Sequence, residues 1–271
     1  MGVSVRRKYR PAWERKELYD LVILLRGHGM SYDEIIGQVH DRQGVWLSKS
    51  HVSDWVNGKH HPYGSIHELP PTPVPELAYV IGVAKGDGSF RAQRWSYRLR
   101  LRVIDKEFAQ EFDRCASVVT GSNRHSIQWL PKQGLWCVEV CSILLYRMLR
   151  YPFSRLKLII SHCRKCAAAF LRGFFDSEAS ISGRSLDVAN SNFRVLSYVR
   201  VLLEDLRVHA TKPRLAQKGG RFVIIKGRTY LANKNIYRLH VRAGSLGDYA
   251  RLVGFAVRRK QLRLNSALAM I

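Results

Sequence analysis

Apolar positions recur at helical spacing near the start of the chain. Leu18, Leu21, Val22 and Leu25 fall on one face of a helix predicted over residues 13–26. Ser31 and Glu34 form an S-x-x-E capping box, so a second helix opens there with Ile35, Ile36 and Val39 on one face. Ser48 or Ser50 can cap a short third helix carrying Val52, Trp55 and Val56, stopped by Asn57-Gly58. From His60 to Pro75 the pattern breaks: HHPYGSIHELPPTPVP holds five of the nine prolines. Proline blocks helix interiors and holds its predecessor extended, so this stretch is a semi-rigid linker.

Further on, the period changes to two. Arg98, Arg100 and Arg102 alternate with Leu99, Leu101 and Val103, and Arg238, His240 and Arg242 with Tyr237, Leu239 and Val241. Arg124, Ser126 and Gln128 alternate with His125, Ile127 and Trp129, while Lys212, Arg214 and Lys218 share one side of 211–218. Such alternation predicts strands with one apolar and one basic face. Residues 105–119, 142–150, 192–207 and 245–254 read as helices, and a longer hairpin loop falls near Lys226 to Ala232. Trp95, Trp129 and Trp136 read more readily as sheet core than as base-stacking platforms. The predicted organisation is a small all-α domain over 1–60, a proline-rich linker over 61–75, and two repeats over 76–160 and 161–271.

The repeat is visible directly. Leu77-AYVIGVAKGDGS-Phe90 aligns with Ala168-AFLRGFFDSEAS-Ile181 at an offset of 91 residues. Small residues at 78, 82 and 86, and again at 169, 173 and 177, are spaced by four. Each set therefore lines one helix face, across which backbones can approach closely. An acid follows each set, Asp87 and Glu178, again 91 apart. Packing the two helices together would gather two carboxylates at helix C-termini, where both the helix dipole and mutual repulsion oppose negative charge. Bound divalent cations resolve both penalties, and paired carboxylates holding metal against a phosphodiester are what hydrolysis requires. Two ordinary buried helices with incidental acids would explain one copy but not two matched ones.

Charge separates the domains. Lys and Arg number 45 against 21 Asp and Glu, a net +24, which calls for a polyanionic partner. Residues 1–75 hold 10 bases and 8 acids; residues 76–271 hold 35 and 13. No apolar run approaches the ~20 residues needed to cross a bilayer. The first residues lack the apolar stretch of a secretory signal, and an odd set of five cysteines fits an intracellular protein without a disulfide framework.

The segments Ala78-YVIGVAKGDG-Ser89 and Phe170-LRGFFDSEA-Ser180 resemble the two motifs of single-chain LAGLIDADG homing endonucleases. The resemblance spans about 195 residues. It implies an α+β fold of two pseudo-symmetric αββαββα repeats forming a DNA-binding saddle sheet, preceded here by a small all-α helix-turn-helix domain. It also implies a monomeric, site-specific double-strand DNA endonuclease that uses Mg²⁺, with Mn²⁺ as a substitute, and leaves 3′ overhangs. Its partner would be a long, asymmetric duplex site. Asp87 and Glu178 match the catalytic, metal-binding acids, and the carbonyls of Gly86 and Ser177 match the backbone metal ligands. Asp176 matches the structural motif aspartate, which Lys85 replaces in the first copy, and Ala179 stands where glycine is usual. The mixed Asp/Glu pair implies unequal cutting of the two strands. An intron RNA maturase, or a cleavage-inactive DNA-binding regulator on the same scaffold, is the alternative.

The strands after each motif would face DNA. Arg91, Gln93, Gln128 and Asn190 are candidate base readers. Arg98, Arg100, Arg102, Arg124, Lys132, Arg184, Lys212, Arg214, Lys218, Arg221, Arg238, His240 and Arg242 complete the candidate surface. Between Asp205 and Asp248 there are ten bases and no acid. The last helix of the N-terminal domain would offer Lys49, His51, Ser53 and Asn57 to a groove, unless that domain is a protein-contact module. The pairs Arg155/Lys157 and Arg258/Lys260, at an offset of 103, are candidate active-site bases; helix-end or phosphate-backbone contacts explain them equally well. Cys163-x-x-Cys166 beside His162 invites a zinc reading, but the second pair would have to be Cys137 and Cys141. Reduced or bridged thiols account for the four better.

Overall fold

The computed structural model describes residues 10–62, 68–93, 96–225 and 227–270, so Trp95, Lys226 and the middle of the proline-rich segment lie outside the described residues. The chain divides into two compact units, Met1–Ile66 and His67–Ile271.

The first unit packs three helices, α1 (Ala12–Gly27), α2 (Tyr32–Gln43) and α3 (Lys49–Val56). The Ser31 box forms at α2: the Glu34 amide donates to Ser31 Oγ at 3.4 Å and the Ser31 amide to Glu34 Oε2 at 2.7 Å. Ser48 caps α3 by accepting the His51 amide at 3.2 Å. The buried faces, Leu18, Val22 and Leu25 against Ile35 and Val39 and then Val52 and Trp55, make a core of their own.

The second unit begins with α4 (Pro75–Lys85), β1 (Ser89–Gln93), β2 (Ser96–Val103), α5 (Lys106–Thr120), β3 (Ile127–Leu130), β4 (Leu135–Cys141), α6 (Ile143–Leu149) and α7 (Phe153–Ile160). It then repeats the theme. The second copy runs through α8 (Arg164–Glu178), β5 (Ala179–Ser182), β6 (Ser185–Asn190), α9 (Phe193–Asp205), β7 (Arg214–Gln217), β8 (Arg221–Ile225), β9 (Arg228–Ala232), β10 (Ile236–Val241), α10 (Leu246–Leu252) and α11 (Arg258–Leu268). The two antiparallel sheets are ordered β1-β2-β4-β3 and β5-β6-β10-β7, so each repeat is αββαββα with the same topology. Leu99 pairs with Val140 and Leu101 with Val138; Leu239 pairs with Val188 and Val241 with Leu186. All eight are buried and give both sheets an apolar inner face in one continuous core.

Three strand expectations are corrected. In place of the loop expected near Lys226 to Ala232, residues Arg228–Ala232 form β9, which pairs with β8 as a separate hairpin, with Phe222 opposite Leu231. Its aromatic and β-branched residues favour strand, and Gly227 supplies the positive φ of the turn. Residues 122–126 are irregular, and the strand starts at Ile127. Buried Asp113 takes the His125 amide at 2.7 Å and its Nδ1 at 2.9 Å, tying that segment to α5. Lys212 and Lys218 flank β7 rather than lie in it, and the register of its partner β10 shifts between Ile236 and Tyr237. Trp129, on edge strand β3, is 46 % exposed and packs against Trp136 at 5.1 Å between ring centroids, so it is not core.

Candidate metal centre and nucleic-acid interface

Helices α4 and α8 cross through glycine. A Cβ on Gly82 would lie 2.3 Å from the Phe170 carbonyl oxygen, and one on Gly173 2.4 Å from the Tyr79 carbonyl oxygen. Each glycine thus touches the residue three positions before its counterpart, a reciprocal contact of the kind a two-fold relation produces. One turn on, a Cβ on Gly86 would meet Ser177 Cβ at 2.4 Å and Glu178 Cγ at 3.2 Å. Only at that spacing can the turn bearing Asp87 press against the end of α8.

The carboxylates feel each other. Glu178 is pushed up to about 7, first by burial and then by the Asp87 charge. Asp87, open to solvent on one side, is also raised by desolvation. Asn190, at the end of β6, donates from Nδ2 to Glu178 Oε1 at 2.8 Å and accepts the Asn192 amide on Oδ1 at 2.8 Å. Asn190, a candidate base reader, has its amide committed on both sides. The hairpin register, Ala179 opposite Val188, brings its strand back past Glu178. The corresponding position in the first repeat, two before the α5 N-cap Asp105 as Asn190 is two before the α9 N-cap Asn192, is Val103. Asp87 therefore has no matching amide at that position.

Lys260 acts electrostatically on both acids. It is 7 % exposed and donates to the carbonyls of Phe175 at 3.0 Å and Asp176 at 2.6 Å, carbonyls of the last turn of α8. Burial lowers its pKa. Asp176 accepts from Tyr79 Oη at 3.0 Å and from the amides of Ala256 and Val257, anchoring the start of α11. In the first repeat Lys85 inverts this device, donating to the Leu149 carbonyl at the end of α6 at 3.3 Å. The other base candidates sit elsewhere. Lys157 lies over the rings of Tyr198 and Phe153, and Arg155 over Tyr151. Arg258 is exposed at the start of α11, where its backbone amide donates to Glu107 Oε1 at 3.2 Å. Aromatic neighbours, not the two acids, thus receive the positive charge of Lys157.

On the sheets, Arg102, Arg91, Gln93, Gln128, Arg238 and Arg242 are exposed, as are Lys132 and Arg184 at hairpin turns and Lys212, Arg214, Lys218 and Arg221 around β7 and β8. Not every base there is free. Glu139 on β4 takes Arg98 at 2.8 Å and also pairs with Arg100, whose Nε is buried without a partner. His240 pairs with Asp187 across β6–β10, and Arg124 with Asp113 at 3.2 Å. Cross-strand register, not sequence alternation, creates these pairs, so the charge of this surface is lower than the arginine count implies. In the first unit Lys49 pairs with Asp33 at 2.7 Å. Asn57 turns its amide onto Ser53, and His51 packs on Trp55 with its pKa lowered by burial.

Two αββαββα repeats joined by a glycine crossing, with an acid at each helix end, define a two-repeat LAGLIDADG fold. Residues 165–254 match the family model described as LAGLIDADG-like domain. Over 257 residues the chain is 30 % identical to uncharacterized protein MJ0398 of Methanocaldococcus jannaschii, covering 93 % of each protein. Uncharacterized protein MJ0314 of the same organism is 29 % identical over 151 residues, covering 50 % of this chain and 56 % of that one. The chain belongs to the LAGLIDADG-like family. Among solved structures, mesophilic variants of the homing endonuclease I-DmoI align with TM-score 0.50 and 18 % identity, over 66 % of this chain and 94 % of theirs. The same figures hold for an I-DmoI variant in complex with its nicked target DNA and Mn. At that identity the likeness establishes a shared fold. No helix among the described residues is long and apolar enough to cross a membrane.

Proposed function

We propose that the protein is a site-specific double-strand DNA endonuclease dependent on a divalent cation. One observation carries this reading: the glycine crossing sets Gly86, next to Asp87, against Ser177 and Glu178, where the Asp87 charge adds to burial in raising the Glu178 carboxyl. The donor set fits a hard cation. Mg²⁺ commonly takes one or two carboxylates and completes its shell with water and phosphate oxygens. No group of three or more His, Cys, Asp or Glu able to hold a metal occurs among the described residues, so a closed protein cage is not what these two acids belong to. Asp87, Glu178 and the carbonyls of Gly86 and Ser177 would hold the ion, with Mn²⁺ able to replace Mg²⁺. When bound, it would supply charge neutralisation at phosphate and activation of water.

The surrounding residues have separable tasks. Asn190 fixes the orientation of the Glu178 carboxylate, and Lys260 holds the last turn of α8 while biasing both acids toward ionisation. The exposed bases of the sheets and of the β8–β9 hairpin would contact phosphates and base edges. Arg98, Arg100 and His240, already braced by Glu139 and Asp187, would present fixed donors. The three-helix unit would add a secondary DNA contact through α3. Because Asn190 tethers one acid and Val103 stands at the matched position for the other, the two strands are proposed to be cut at unequal rates; the 3′ overhangs are those the family resemblance implies. Both acids come from one chain, so a monomer suffices.

The test is incubation with a library of randomised duplexes and Mg²⁺, followed by sequencing of the cut ends, beside Asp87→Asn and Glu178→Gln. A defined site with staggered ends, cut by wild type and by neither variant, is expected. Tight binding of a defined duplex that is never nicked in Mg²⁺ or Mn²⁺ would refute the proposal.

A further inference from the structure

Cys163 and Cys166 open helix α8, at the opposite end from Glu178, and the endonuclease reading leaves them unused. Cys163 is the N-cap residue: its Sγ accepts the Cys166 amide at 3.3 Å, the bond a serine or aspartate makes at other helix starts. The sulfurs are 3.4 Å apart. Cys163 is exposed and Cys166 buried in the main core. A thiolate at a helix N-terminus meets unpaired amides and the positive end of the dipole, and here the Arg164 and Lys165 side chains add local positive charge. We propose that Cys163-x-x-Cys166 is a redox-active dithiol that exchanges with small-molecule disulfides and closes to an intramolecular disulfide.

The roles of the two sulfurs follow from their surroundings. The Cys163 thiol is held below its ordinary value, chiefly by the Cys166 amide, making it the attacking group. Cys166 is pushed up to about 12, by burial first and then by its hydrogen bond and proximity to Cys163. The Cys163 thiolate attacks one sulfur of an external disulfide RSSR, forms a mixed disulfide and expels RS⁻. That step removes the Cys163 charge, and with it part of what keeps Cys166 protonated. The Cys166 thiol then loses its proton and attacks Cys163 Sγ, expelling the second thiolate. The sum is two protein thiols and RSSR giving one protein disulfide and two RSH. The small-molecule disulfide is the oxidant, and no metal enters the step.

Cys141 is the internal control, because it is also exposed but ends a β-strand. The experiment uses the full chain, reduced and freed of reductant. Iodoacetamide at pH 7 with peptide mapping should alkylate Cys163 at least tenfold faster than Cys141. Excess oxidised glutathione should yield a 163–166 disulfide, two mass units below the dithiol. Cys166→Ser should stop at a glutathione adduct on Cys163. Cys163→Ser keeps an N-cap oxygen, so it folds, and should form neither product at this site. Equal alkylation of Cys141 and Cys163, a wild-type adduct that never resolves, or stoichiometric zinc that protects both thiols would each overturn the proposal. None of these readouts depends on DNA cleavage.

Discussion

Replacing Glu178 by Gln removes the cost of holding a charge in a largely buried place beside Asp87. The Glu178 carboxyl moves from an ordinary 4.5 to about 7 in the folded protein. At about 1.4 kcal/mol per pH unit, ionisation costs the folded state roughly 3 kcal/mol, which partial contact with water screens to about 1–2 kcal/mol. The folded value lies above the unfolded one, so the unfolded chain ionises first and unfolding releases a proton between about pH 4.5 and 7. Stability is therefore greatest below that window, falls as pH rises through it, and stays low above. Glu178→Gln keeps the side-chain oxygen that Asn190 bonds but removes the charge. In EDTA at pH 8 the variant should melt roughly 2–8 °C above wild type, with the gap narrowing toward pH 5. Millimolar Mg²⁺ should raise the wild-type melting temperature and leave the variant almost unmoved. Calorimetry across pH 5–8.5, with and without Mg²⁺, measures all of this. A variant melting at or below wild type in EDTA at every pH would show that neither burial nor the Asp87 charge disfavours ionised Glu178, and the reasoning fails.

Other outcomes follow from the same geometry. Gly82→Ala or Gly173→Ala drives a Cβ into the facing helix backbone and should cost at least about 3 kcal/mol in urea unfolding. Gly37→Ala, in α2 with open space around it, should instead stabilise the three-helix unit by about 0.5–1 kcal/mol. Asn190→Ala removes a hydrogen bond that lowers the Glu178 pKa, so the acidic limb of Mg²⁺-dependent cleavage should shift to higher pH; an unmoved limb would deny Asn190 its positioning role. Replacing Gly220–Asn233 by a two-residue turn removes Arg221, Lys226 and Arg228. The footprint should shorten at one flank and the salt dependence of binding fall by up to about 3, while cutting continues.

Much of this protein is legible locally. Helix starts at Ser31 and Ser48, the apolar faces of β2 and β10 and the matched small residues all follow from interactions within a few positions. Local alternation predicts a strand at Arg124 and a loop at Lys226–Ala232; the competing force there is non-local or conformational. Asp113, eleven residues from Arg124, claimed the His125 amide, and Gly227 let two β-prone segments pair. Base counting likewise overstated the free charge, because Glu139 lies 41 residues from Arg98 and meets it only through the β2–β4 register.

That two acids follow two small-residue helix faces at one offset, and that the positive charge lies in the repeated part, is plain from the residue order alone. Tertiary structure decided what those acids experience. Helix crossing at Gly82 and Gly173 brings Asp87 within electrostatic reach of Glu178, 91 residues away. Hairpin register gives Glu178 the Asn190 amide and leaves Val103 in the matched position. Packing of α11 aims Lys260 at the end of α8. The physical reason is range. Capping, periodicity and turn chemistry act over a few residues, whereas a pKa, an ion pair or a shared cation site depends on distances that only the folded backbone sets.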